Sequence, residues 1–158
     1  MKRPAIVILS FLLLAGAIFI LPSQFSAEKR LRAAHASLLD AVRDASRPRM
    51  ARILADDYKD GWGMNKSEAI GLAIQVNQQF LTLEMEVKGL EMAVTDKTAK
   101  TQLTVNLRGG GSAGADAVRE KVAHLKVPFV LEWRRESWTP WSWKLVSVTQ
   151  SEIRLPKE

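Results

Sequence analysis

The chain has 158 residues, 47 % of them hydrophobic and 25 % charged, which is the balance of one folded domain with room for a short appendage. It has no cysteine, so disulfide frameworks, thiolate zinc sites and cysteine nucleophiles are excluded, and two histidines, His35 and His124, are too few for a histidine-built metal centre. The net charge is +6, but Lys2 and Arg3 precede any acid, and beyond residue 27 bases and acids are interleaved rather than gathered into the stripe of a nucleic-acid reader. No nucleic-acid partner, metal or cofactor is expected.

Ala5 to Leu21 runs without a charge. As a helix it would be ~25 Å long, close to the ~30 Å hydrocarbon core. A core helix would keep a polar face, and this segment has none. A signal-peptidase site wants small residues at −3 and −1. Ala27 at −1 places Phe25 at −3, and Ser26 places Gln24 there, so an uncleaved anchor is expected. The basic head suggests an export signal. The reading is a signal-anchor over 1–27 and a single-pass protein whose domain, 28–158, lies on the extracytoplasmic (periplasmic) side, or is secreted if the segment is cleaved. Lys29, Arg30 and Arg32 would then face anionic headgroups.

From Glu28 to Ser46, Leu31, Ala34, Leu38, Ala41, Val42 and Ala45 recur at helical steps. His35 falls between two alanines and reads as a helix-flank residue. Pro48 opens a shorter helix that ends near Tyr58, and Lys59-Asp60-Gly61-Trp62-Gly63 is a loop. Asn65 or Ser67 caps a third helix reaching about Thr82, with Glu68 in its first turn. Its wide apolar arc predicts a central, doubly covered helix.

The period then changes from 3.6 to 2. Leu83, Met85 and Val87 alternate with polar residues, and across Gly89 the parity flips to Leu90, Met92 and Val94, the signature of a β-bulge. Thr101, Leu103, Val105 and Leu107 form a half-buried antiparallel strand. Gly109 to Gly114 reads as a flexible connection rather than a phosphate loop, and residues 116–124 allow a short helical turn. Val127, Phe129, Leu131 and Trp133 alternate next, and Trp141 to Val148 returns as the last strand. The fold class is α+β, with N-terminal helices packed on an antiparallel sheet of about four strands, preceded by the hydrophobic N-terminal helix.

The helical stretch LLDAVRDASRPRMARILADDYKDGWG, the capped helix NKSEAIGLAIQVNQQF and the terminal hairpin PFVLEWRRESWTPWSWKLVSVTQ, with its W-K-L-V run, resemble the nuclear transport factor 2-like, or cystatin-like, superfamily over about residues 28–153. The resemblance implies a curved sheet wrapped round a long helix, forming a cone with a pocket inside. Its sheet-borne lining would be Met85, Leu103, Phe129 and Trp133. Tyr58, Trp62 and Phe80 would add to it from the helical half. The superfamily hosts isomerases, dehydratases, cyclases, secretion scaffolds and binding domains, and often dimerises through the sheet face, so fold alone does not fix function.

Enzymes of this kind use a carboxylate base and a tyrosine or acid donor in the cone, where desolvation raises the acid's pKa. The inward parity carries only apolar residues from Leu103 to Trp133, while Glu84, Glu86, Glu132 and Glu136 fall on the other face. The expectation is therefore a non-catalytic binding or assembly domain whose apolar cone holds a small apolar ligand or is filled by its own side chains. The alternatives are a lyase or isomerase with Asp57 as base and Tyr58 as donor, and a scaffold component of an envelope or secretion complex. Trp138 and Trp141 flank Pro140 at a hairpin tip and are candidates for a partner or membrane interface.

Overall fold

The computed structural model describes residues 27–137, 139 and 142–154. The apolar run 5–21 and the tip residues Trp138 and Trp141 lie outside them. Among the described residues no helix is long and apolar enough to cross a membrane.

Residues 27–43 form α1, which buries Leu31, His35, Leu38 and Ala41 along one stripe. Ser46 N–H bonds the Ala41 carbonyl at 2.9 Å and Ala45 N–H that of Val42 at 3.0 Å, so the helix ends in a Schellman turn that holds Ala45 at φ 47°. The helix therefore stops three residues earlier than its periodicity suggests. The Asn77 amide adds bonds to the Val42 and Arg43 carbonyls. α2 (Arg47–Ile53) carries Pro48 in its first turn, and α3 (Lys66–Asn77) starts on a complete Asn65–Glu68 capping box.

Four strands follow, β1 (Glu84–Val94), β2 (Thr98–Arg108), β3 (Phe129–Arg135) and β4 (Trp143–Thr149), in an antiparallel sheet of order β1-β2-β3-β4. The β1 register shifts between Lys88 and Glu91, across Gly89, as the parity flip predicts. A second shift lies opposite Glu132/Trp133, where β4 gains a residue at Val146. It lets Leu145 and Val148, of opposite parity, both reach the inner face. The acids Glu84, Glu86, Glu132 and Glu136 are exposed.

Several expectations are corrected. The Gly109–Gly114 stretch is not a loose linker: Leu81 N–H bonds the Gly110 carbonyl at 2.8 Å and Ser112 N–H that of Gln79 at 2.9 Å. A Cβ on Gly109, at φ +124°, would sit 1.8 Å from the Thr82 carbonyl oxygen, so only glycine fits this seam. Residues 116–123 belong to a full helix, α4 (Ala113–Ala123), capped by Ser112, ended by His124 and packed on β2. Val127 precedes β3 and is exposed. α3 ends at Asn77 and, of its residues, only Ile70 is buried, because a hollow separates this helix from the sheet.

Candidate functional site

The hollow has two adjoining lobes of about 250 and 270 Å³, which share Val42, Tyr58, Ala69, Ala73 and Val148. Leu103, Phe129 and Leu131 of the sheet, with Leu38 of α1, line the first. Trp62, Phe80 and Met85 line the second. No lysine or arginine lines either lobe. Trp133, expected on this wall, lines neither lobe: it is buried with its ring centroid 6.0 Å from that of His35, and its indole N–H donates to Thr101 Oγ1 at 3.1 Å.

Three ionisable groups enter the wall, all from the helical half. His35 occupies the α1 stripe because Leu31, His35, Leu38 and Val42 follow steps of four, three and four. It is 2 % exposed, its Nε2 has no partner among the described residues, and burial, helped by the Arg32 charge, holds its pKa below the usual imidazole range. It is therefore a neutral ring on the first lobe rather than a helix-flank residue.

Tyr58 and Asp60 are placed by segment 54–61, which runs along the free edge of β4. The Ala55, Lys59 and Gly61 N–H groups donate to the carbonyls of Leu145, Val146 and Val148 at 2.9, 3.1 and 2.9 Å. The segment fits this edge because Gly61 lacks a side chain: its Cβ would stand 2.8 Å from Thr149 Cγ2. Lys59 and Gly61 remain exposed while Tyr58 and Asp60 are buried, the local alternation of an extended chain.

Burial, with the Asp60 charge as second cause, raises the Tyr58 pKa, so the phenol keeps its proton. Asp60 Oδ1 accepts the Trp62 and Met64 N–H groups at 3.0 and 2.9 Å, closing the turn that leads into α3. Its Oδ2 is buried without a partner among the described residues. The Trp62 indole N–H donates to the Ile153 carbonyl at 2.7 Å and pins the same turn to the C-terminal segment.

Asp57 does not join this set. Its carboxylate takes two bonds of 2.8 Å from the Arg134 guanidinium on the surface, and those bonds hold its pKa below the ordinary range. The pairing of Asp57 with Tyr58 inside the cone is corrected accordingly. Asp56 is likewise exposed and paired with Lys66 at 2.8 Å. Sequence reasoning missed Asp60 because a loop has no period. The signal was the placement of Tyr58 and Asp60 either side of Lys59, which becomes meaningful once the segment is known to lie on a strand edge. No group of three or more metal-ligating side chains occurs among the described residues.

No protein-family model matches the chain, and no curated protein resembles it in sequence. Solved structures do share its shape. A nuclear transport factor 2-like protein from Cytophaga hutchinsonii aligns over 77 % of this chain and 93 % of its own, with TM-score 0.55 and 12 % identity. A putative dehydratase of the same family from Streptomyces avermitilis aligns over 79 % and 94 %, with TM-score 0.56 and 17 % identity. A cystatin-like protein of unknown function from Nostoc punctiforme aligns over 77 % and 86 %, with TM-score 0.54 and 11 % identity. The fold is thus nuclear transport factor 2-like, one that carries both enzymes and ligand-binding proteins.

Proposed function

We propose that the protein is a binding domain whose cone holds a small, mainly apolar ligand. The observation that carries this reading is the two-lobed hollow under α3, walled by aliphatic and aromatic side chains with a few polar groups, the usual make-up of a small-molecule pocket. With the Asp60 carboxylate on the wall and no cation to offset it, a neutral ligand suits the hollow better than an apolar acid. The test is titration of the full chain with the neutral dye N-phenyl-1-naphthylamine, followed by displacement with a neutral alcohol and with the fatty acid of equal length. Saturable dye uptake displaced more readily by the alcohol is expected. Failure to take up the dye would refute the reading.

A catalytic reading is favoured by one observation, the buried atoms His35 Nε2 and Asp60 Oδ2, without a partner among the described residues, on the walls that Tyr58 joins. A lyase or isomerase would use Asp60 as base and the protonated Tyr58 as hydrogen-bond donor. Deuterium exchange at the α-carbon of a bound ketone, lost in Asp60→Asn, would support it. Binding without exchange leaves the domain non-catalytic.

Residues 5–21 are proposed to anchor the chain in a membrane, with the domain on the periplasmic side. The support is the length and uncharged character of the run behind a basic head. Carbonate extraction of membranes carrying the full chain tests it. A homodimer through the outer sheet face, or a place in an envelope assembly, is the corresponding partner proposal, tested by light scattering of the purified protein.

A further inference from the structure

We infer that the end of the domain from which α1 starts is a docking face for the surface of an anionic phospholipid bilayer. The inference rests on the proposed membrane anchor and extends it from the tether to the folded body. Three parts of the fold meet at this end. Arg135 N–H, closing β3, donates to the Lys97 carbonyl in the β1–β2 turn at 2.7 Å, and Arg135 stands opposite Trp143 at the start of β4. Trp143 and Lys144 in turn share the wall of one cavity with Ala33 and Ala34 of α1. Residue 27 opens α1 on this side, so the chain that carries the uncharged run 5–21 enters the domain here.

The charges at this end are one-sided. Lys29, Lys97, Arg135 and Lys144 make no ion pair among the described residues. The Lys144 ammonium donates to the main-chain carbonyl of Arg52, which fixes its place and leaves its charge uncompensated. The neighbouring acids are already taken: Glu28 pairs with Arg32 at 3.1 Å, and Asp57 and Glu136 both pair with Arg134, at 2.8 and 3.4 Å. Asp96 is left as the one acid of this end outside an ion pair among the described residues. Cations gathered in this way give a positive potential that complements anionic headgroups. A tether at the same end keeps the face at high effective concentration over the bilayer, so even weak attraction holds it down. Met85 and Leu107, paired near the opposite end of the sheet, line the second lobe of the cone, and docking turns that lobe away from the lipid.

The absence of cysteine lets one dye be placed at one introduced thiol. Ser137→Cys carries it just beyond β3 beside this face, and Ser151→Cys carries it beyond β4 at the far end; both positions are exposed. The labelled full chain is reconstituted into phosphatidylcholine vesicles, with or without phosphatidylglycerol, that contain a lipid bearing a nitroxide quencher on its headgroup. Quenching is expected to be stronger at Ser137→Cys than at Ser151→Cys, to rise with phosphatidylglycerol, and to fall at about 0.5 M salt, where screening is severe. Adding Lys97→Glu and Arg135→Glu changes the face by four charges, enough at about fivefold per charge to release it. Flotation of the same vesicles at high salt reads the anchor separately. A chain that fails to float refutes the anchor, while quenching at low salt still decides docking. The proposal is overturned if the two positions are quenched alike. It is equally overturned if Ser137→Cys quenching ignores both phosphatidylglycerol and the charge reversal in a variant shown to be folded by circular dichroism, the mark of a domain that is tethered only.

Discussion

Filling the hollow with the protein's own atoms separates a true cavity from a loosely packed core. Ala73 on α3 borders both lobes, so Ala73→Leu adds three carbons to space that nothing described occupies. At about 0.8 kcal/mol per buried CH2 the ceiling is about 2.4 kcal/mol. Ordering the new side chain costs about 0.5–1 kcal/mol, which leaves a stabilisation of about 1.5 kcal/mol. Helix propensity barely changes between alanine and leucine. For a domain of this size the gain corresponds to a Tm rise of roughly 4–8 °C. Differential scanning calorimetry measures the shift, and dye titration of the same sample should show affinity reduced about tenfold or more, since the added carbons occupy the ligand's volume. Ala36→Leu, on the exposed side of α1, is the control and should stay within about 0.5 kcal/mol of the parent. An unchanged or lower Tm for Ala73→Leu, with dye binding intact, would mean that the space under α3 is not available, and the hollow could not be the binding site.

Three further outcomes follow from single contacts. Because burial depresses the His35 pKa, the unfolded chain binds the extra proton first, so stability contributed by the neutral ring is full above about pH 6.5 and declines as pH falls, by at most about 1.4 kcal/mol per pH unit; urea denaturation between about pH 8 and 5 should show this slope, and His35→Leu should flatten it. Thr101→Val should cost about 1–3 kcal/mol in the same assay by stranding the buried Trp133 indole N–H, and Thr101→Ser should recover most of it. Ala45→Gly should raise stability by about 1 kcal/mol, since alanine is held at φ 47° where glycine is unstrained; a loss of thermal stability would show that the turn tolerates alanine without cost.

The order of elements, the sheet and its inner face were written in local patterns. The alternation from Met85 to Trp133 survives into the structure because a one-residue slip would turn a whole apolar set into water, and the register shift at Gly89 shows as a change of parity. The capping box at Asn65 is equally local. What the sequence could not convey is where segments with no period come to rest. Whether Asp57 or Asp60 faces the hollow depends on which N–H groups of segment 54–61 bond to β4, a contact across more than eighty residues. His35 stood in the right helical phase, but only the packing of α1 against Trp133 turns that phase into burial and neutrality. The hollow itself is a property of how far α3 stands from the sheet. That spacing is set by the turn closed on Asp60, the Trp62 anchor and the glycine seam at Gly109, and no single one of them encodes it alone.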